Sequence, residues 1–413
     1  VPDTLRRNRD FRRLWIGQTV SQLGTQVTML ALPLVAIRVL DAGPLEVGIL
    51  AACETLPFLL VGLPAGVWVD RRRRRPILVL ADVGRAALLA VVPVAYALDV
   101  LAVWHLYAVA LLVGAQTVFF DVAYQSYLPA LVPRARLVEG NARLELSRSA
   151  SQVAGPGLGG LLVELLRAPY AIAVDSVSFL VSAAFVAGIR TGEPEPEPVA
   201  DDERTMRRSI ATGLRYVLRH PVLRRIAAAT GIANLFSGAG MAVFLLYAVD
   251  RLGISPGVIG LVFSLGGLGA LLSAATTEWL GRVLGVGPTI VSSAALTGAA
   301  FVLVPLAPRD TGAVPWFLAA MLIETYAASV YNITQVSLRQ TVTPTGMQGR
   351  MNATMRFVVW GALPLGSLLG GVLGRAIGLQ GTLWVSALGG TLCVLPLLSR
   401  SVLGLRTMPP AAE

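Results

Sequence analysis

Glu54, Asp175 and Glu324 are carboxylates set inside long apolar stretches. A charge there is costly unless it pairs or meets water, and a carboxyl shielded from solvent can trade a proton near neutral pH. Each is therefore a candidate proton carrier. A second group is denser: Gly66-Val-Trp-Val-Asp70-Arg71-Arg-Arg-Arg74-Arg75 places one carboxylate and five guanidiniums between two apolar segments. Charge of that density stays in water, and its chemistry is that of a clamp. A carboxylate at a helix end docks on the N-terminus of a neighbouring helix, and arginine forks grip carboxylates. In a third group Ser147, Ser151, Gly155 and Gly159 recur every four residues, with Pro156 and Gly160 beside them. Small residues at that spacing let two helices meet backbone to backbone.

The elements that carry these groups are set by composition. Of 413 residues 55% are hydrophobic and 14% charged, and mean hydropathy is +0.68. That leaves too little polar surface to cover a soluble globule of this size, so the chain reads as an integral membrane protein. All 34 basic residues are Arg. Without lysine there is no Walker lysine for a nucleotide phosphate and no Schiff base for retinal or pyridoxal phosphate. The two His (His105, His220) and two Cys (Cys53, Cys393) are far apart, so no spacing supports a metal site or a Cys-His nucleophile. No enzyme activity and no cofactor are expected. The net charge of +10 belongs to inter-span loops, which makes it an orientation signal rather than a nucleic-acid footprint.

Apolar runs broken by Gly, Pro and charge predict twelve spans: 11–40, 44–69, 77–98, 104–130, 138–166, 168–189, 223–249, 255–281, 287–307, 313–338, 348–374 and 380–399. With the N-terminus inside, the cytoplasmic segments hold 25 Arg; the outer loops hold five, Arg38, Arg167, Arg251, Arg309 and Arg375. The positive-inside rule then places both termini in the cytoplasm. Thr191-Gly-Glu-Pro-Glu-Pro-Glu-Pro198 reads as an extended linker that splits the spans six and six. Next comes an amphipathic stretch with Met206, Ile210, Leu214 and Val217 on one face, suited to the inner leaflet. The expected domains are 1–190, a linker at 191–221 and 222–413. The halves also repeat. At an offset of 211 residues Pro133, Asn141, Ala142, Gly155, Leu158, Gly159 and Gly160 match Pro344, Asn352, Ala353, Gly366, Leu369, Gly370 and Gly371, and at 212 Arg12-Arg13 meets Arg224-Arg225. Two parallel six-span repeats are the expected plan: an all-α fold of twelve transmembrane helices in two six-helix bundles related by a pseudo-twofold axis.

Gly66-x-x-x-Asp70-Arg71-x-x-Arg74-Arg75 resembles the loop signature of the major facilitator superfamily between its second and third spans, with Arg73 where the family has a second glycine. Gly155-Pro156-Gly157-Leu158-Gly159-Gly160 resembles the core motif of that superfamily's exporters, with Ser151 in place of an upstream glycine. The chain looks closest to the branch of enterobactin-exporter-like and macrolide-efflux-like permeases. The resemblance implies that Gly66, Asp70, Arg71, Arg74 and Arg75 latch the cytoplasmic side. Asp70 would meet the start of span 11 and Arg74 an acid on span 4, for which Asp121 is the candidate. Arg356 would face Asp70 or an acid on span 2 or 10.

The resemblance further implies that spans 1, 4, 7 and 10 line a central cavity. That makes Glu324 the best-placed acid, with Gln22 and Gln26, Gln116 and Tyr124, Asn234 and Met241, and Tyr331 and Gln335 as candidate cavity residues. A wall of amides, phenols and aromatics suits a bulky amphipathic molecule better than a sugar. Asp175, on a peripheral span, reads as a packing or lipid-edge residue paired with Ser176 or Ser178, and Asp82 with Arg85 forms an i, i+3 pair. The expected function is that of a monomeric, proton-coupled exporter of small molecules in the bacterial inner (cytoplasmic) membrane. Sodium is the alternative coupling ion. An importer of a nutrient or lipid, and a non-transporting receptor or enzyme, are the competing functions.

Overall fold

The computed structural model of the chain describes residues 5, 8–133, 136–193 and 203–410; the side chains at 63, 67, 70, 203–210, 311 and 345 lie outside that description. So do most of the Pro-rich linker, the side chain of Asp70, and Met206 and Ile210 of the amphipathic face. Regular structure among the described residues is helical throughout. The first sequence half forms α1 (Arg9–Val39), α2 (Pro44–Leu60), α3 (Gly62–Asp70), α4 (Arg74–Ala97), α5 (Val103–Leu131), α6 (Leu137–Leu166) and α7 (Ala168–Ala187). After the linker come α8 (Glu203–Arg219), α9 (Leu223–Leu246), α10 (Pro256–Gly266), α11 (Leu268–Leu284), α12 (Val286–Phe301), α13 (Leu303–Leu306), α14 (Val314–Thr341), α15 (Thr345–Thr391) and α16 (Arg400–Leu403).

Nine helical stretches among the described residues are long and apolar enough to cross a bilayer, and the difference from the twelve expected spans has local causes. The second expected span is divided at Val61 into helices of 17 and 9 residues. The fifth, α6, carries Glu139, Arg143, Glu145 and Arg148 in its first half. The last two run on as one stretch, interrupted at Gly378, whose φ of +80° and ψ of 166° no longer follow a helix. Only glycine adopts such a φ without strain, so the break is written into the sequence. Turns between the other helices use Asp41, Asp99 and Arg167, all at positive φ, and Gly285 at φ +92°.

The chain divides into two compact units. Unit 1 holds residues 1–46, 53–200 and 255–264; unit 2 holds 47–52, 201–254 and 265–413. The boundaries thus depart from a cut at the linker, because each unit takes a short helical segment from the other sequence half. In unit 1, Gly160 of α6 lies so close to Pro256 and Gly257 that a Cβ there would be 3.1 Å from the Gly257 Cα. In unit 2, Gly48 stands equally close to Gly371 and the Ser367 carbonyl. Neither approach tolerates a side chain.

Within unit 1, α1 packs on α7 and α6 while α4 packs on α7 and α5. Phe11, Leu14, Leu78, Phe120, Tyr127 and Val186 fill its core. The start of α1 is fixed by Asn8, whose side chain accepts from the Asp10 and Phe11 N–H groups at 3.0 Å each and donates to the Leu131 carbonyl. One residue thereby caps α1 and ties it to the end of α5. In unit 2, α9 packs on α15 and α14 on α11 and α12, around Ile226, Ile290, Leu338 and Leu397. α8 joins unit 2 through Val217, which packs with Leu223, Met351 and Met355, leaving Leu214 and Leu218 exposed.

Candidate functional site

The small-residue stripe of α6 does its expected work. Gly155 faces the Gln26 side chain, and a Cβ on Gly159 would be 3.1 Å from the Val27 Cα, so α6 lies almost on the backbone of α1. That close approach draws α1 into the interior of unit 1, where α1, α4, α5 and α7 enclose a charged cluster. Asp175 is 1% exposed; its carboxylate accepts from Ser178 Oγ at 2.8 Å and from Thr28 Oγ1 of α1. Gly24 makes room for it, because a Cβ there would collide with both the Asp175 carboxylate and the Ser178 hydroxyl. Asp82 and Arg85 of α4 form a buried ion pair at 0% and 4% exposure. The Arg85 guanidinium lies between two phenyl faces, 4.3 Å from the Phe120 centroid and 4.1 Å from that of Phe179. A desolvated cation gains from each ring. Arg85 and Asp82 are the charged groups that act on Asp175. The Asp82 Oδ2 and Arg85 Nε have no hydrogen-bond partner.

Other amides and phenols named from the sequence are placed inside one unit or the other. The Gln116 amide fills the notch left by Gly84 of α4, and Tyr124 stacks on Phe120 at 5.9 Å, its hydroxyl buried without a partner. Gln22 is half-buried, with an unpartnered Oε1. In unit 2, Asn234 donates to the Val359 carbonyl at 3.0 Å and Tyr331 shares a hydrogen bond with Thr230 at 2.8 Å. Gln335 is 3% exposed and donates to Asn332, whereas Met241 is exposed. Glu324 lines a cavity of about 40 Å³ within unit 2, beside Ser237, Thr297 and Ser386. That is room for a water molecule or two. Glu54 is half-buried on α2, where Gly114 of α5 meets its backbone carbonyl.

At the Arg-rich loop, Glu193 accepts from the Arg74 N–H at 2.7 Å and the Arg75 N–H at 3.3 Å, and its carboxylate pairs with the Arg74 guanidinium at 3.5 Å. A carboxylate from the linker thus caps α4, whose preceding residue Arg73 offers no cap of its own. Arg75 donates to the Ala187 carbonyl. Asp10 accepts from the Arg190 and Thr191 N–H groups at 3.1 and 2.8 Å, anchoring the start of the linker. Sequence reasoning missed Asp10 and Glu193 because both look like ordinary solvated acids. The one hint was Thr191-Gly-Glu193 directly after a span. Arg71 and Asp121 are both partnered; Arg356 is exposed on α15.

Long apolar helices, an internal repeat and ionisable groups held inside each unit are the features of a polytopic membrane transporter. The profile described as transmembrane secretion effector matches residues 4–407, and the chain belongs to that family. It is 27% identical to the multidrug efflux pump Tap of Mycolicibacterium fortuitum, over 87% of this chain and 88% of Tap. It is 26% identical to the enterobactin exporter EntS of Escherichia coli, over 84% of this chain and 81% of EntS. The fold is similar to that of a bacterial homologue of the iron transporter ferroportin, with a TM-score of 0.75 at 18% identity, covering 96% of this chain and 99% of that one.

Proposed function

We propose that this transporter is a proton-coupled exporter of amphipathic small molecules, built as twelve spans in two six-helix bundles that rock about a central site. It works as a monomer in the cytoplasmic membrane with both termini inside. The observation that carries the coupling is a charge count. Two carboxylates, Asp82 and Asp175, share one guanidinium, Arg85, in a buried cluster. One proton on Asp175 makes that cluster neutral, and its loss leaves a net charge in a low-dielectric interior, an arrangement that favours cycling between two states. Glu324, beside its small cavity, and Glu54 are the further proton carriers. Export is supported by the names of the efflux relatives and by the tight α1–α6 contact. The Gly66–Arg75 loop with Asp121 and Arg356 forms the inner gate, and Glu193 holds its end, where α4 begins.

The test is transport in sealed vesicles with imposed proton or sodium gradients across a panel of amphipathic dyes. A pH gradient is expected to drive accumulation, and Asp175→Asn to cut that component by at least about tenfold while the protein stays folded. Coupling to sodium alone would overturn the proton assignment. No gradient-driven movement of any dye would overturn export of this class.

A further inference from the structure

The positive-inside rule leaves five arginines on the outer side, and two of them meet at one place. Arg251 and Arg309, in the loops after α9 and α13, line a single cavity of about 460 Å³ in unit 2. That volume lies within the range of small-molecule sites, about 300–1,000 Å³. Three local features build it. The chain after α9 continues as a π-helical turn, Tyr247–Arg251, which puts both Tyr247 and Arg251 on the wall. Such turns are uncommon and concentrate at functional positions. Next, the break at Gly378 starts a fresh helical segment, so Leu379, Gln380 and Gly381 on the wall are its first turn. Finally, Gln380 is oriented as a strut: its Oε1 accepts from Arg309 Nη2 at 2.9 Å and its Nε2 donates to the Pro305 carbonyl at 3.1 Å.

The geometry points to a binding site for a small anion bearing a carboxylate or phosphate group. Two guanidiniums on one cavity repel each other, and the described wall contains no carboxylate to offset them. Asp250 and Asp310 adjoin the two arginines in sequence but stand outside the wall; Asp310 accepts from the Gly312 N–H. Tyr247 supplies an independent sign. It is 3% exposed, it lies beside Arg309, and its hydroxyl has no partner. A buried hydroxyl left unsatisfied is costly, and an anion oxygen would complete it. Planar guanidiniums and a tyrosyl O–H are all donors, which together select a two-oxygen anion over a cation or a neutral ring. The site does not depend on which acid carries the proton.

The experiment is calorimetric titration of the purified full chain with inorganic phosphate and with benzoate, in detergent at low salt. Saturable binding of at least one probe is expected, weakened when ionic strength is raised. Arg251→Gln and Arg309→Gln should each weaken it by about tenfold or more, and Tyr247→Phe by a smaller factor. Arg38→Gln, an outer arginine of unit 1, should leave it unchanged, and thermal melting of each variant checks the fold. Absence of saturable binding by either probe, or wild-type binding by the Arg251→Gln/Arg309→Gln double variant, overturns the site. Nanodiscs separate the two sources of such an anion. If phosphatidylglycerol abolishes probe binding and phosphatidylcholine does not, the occupant is a lipid headgroup; equal binding in both assigns a soluble anion.

Discussion

The two units use one helix contact and fill it differently. In unit 1, α6 meets α1 through Gly155 and Gly159; in unit 2, α15 meets α9 through Gly366 and Gly370, the positions 211 residues later. The same offset carries Asp82, Arg85 and Asp175 onto Ser293, Leu296 and Ser386. Ser293 and Ser386 are buried as the aspartates are, but both donate to carbonyls, Ser293 to Thr289 and Ser386 to Phe236. Gly24, which makes space for the Asp175 carboxylate, becomes Phe236 at the offset of 212 that aligns the first helices. One scaffold therefore exists with these positions charged in unit 1 and neutral in unit 2. The neutral positions show that this part of the packing does not need the charges, which argues that unit 1 keeps them for something other than stability.

The comparison breaks most sharply at Arg85. Arg85→Leu installs the residue of the neutral repeat but leaves Asp82 buried without its cation, which should cost about 3–5 kcal/mol. Adding Asp82→Ser removes the orphaned charge and should recover most of that loss, because a neutral buried group with a carbonyl in reach is tolerated. Denaturant unfolding of the single and double variants in the same detergent measures both. If the double variant is as unstable as Arg85→Leu alone, the neutral residues at the matching positions of unit 2 are no guide to unit 1.

A smaller effect sharpens the contact itself. A Cβ on Gly370 would lie 2.8 Å from the Ala239 Cα and closer still to its carbonyl, whereas on Gly159 the nearest atom is 3.1 Å away. The α9–α15 pair is the tighter one, and backbone atoms cannot swing aside. Gly370→Ala should cost about 1–3 kcal/mol as overpacking, and Gly159→Ala clearly less. Equal melting temperatures for the two variants would mean that the two contacts differ less than their geometry says.

Much of this was legible along the chain. The apolar runs, the glycine stripe and the 211-residue offset all have a period or a composition to read. Asp82 with Arg85 is a local pair, visible as an i, i+3 spacing, and of the two nearby serines it is Ser178 that meets Asp175, while Ser176 donates to the Ala86 carbonyl. What stayed hidden has no periodic trace. Thr28 and Gly24 reach Asp175 from a helix some 150 positions away, and the phenyl faces around Arg85 come from α5 and α7. Glu193 caps α4 from the far side of four helices. The exchanged segments 47–52 and 255–264 look like ordinary parts of their spans. Gln116 and Gln26 read as polar faces, yet each packs against a glycine of a neighbouring helix in its own unit.

The finest difference between the halves sits at their first helices. Asn8 starts α1, and 212 residues later His220 takes the same role for α9, its Nδ1 accepting from the Val222 and Leu223 N–H groups at 3.3 Å each. An amide does not titrate in the physiological range, but an imidazole does. Burial holds the His220 pKa below its usual 6.5, so the neutral, accepting form is the one the fold favours. A depressed folded value means that this contribution is complete above about pH 6.5 and fades as pH falls through the depressed value. Protonated Nδ1 can no longer accept, and the cap opens. With the ring partly solvated, the loss should stay below about 1 kcal/mol, the usual worth of such a cap. His220→Asn copies the unit 1 solution. It should match wild type near pH 7.5 and lose less stability on acidification to pH 5.5, measured as the difference in melting temperature between the two proteins at each pH. Identical acid sensitivity would show that the cap of α9 does not respond to the charge on His220.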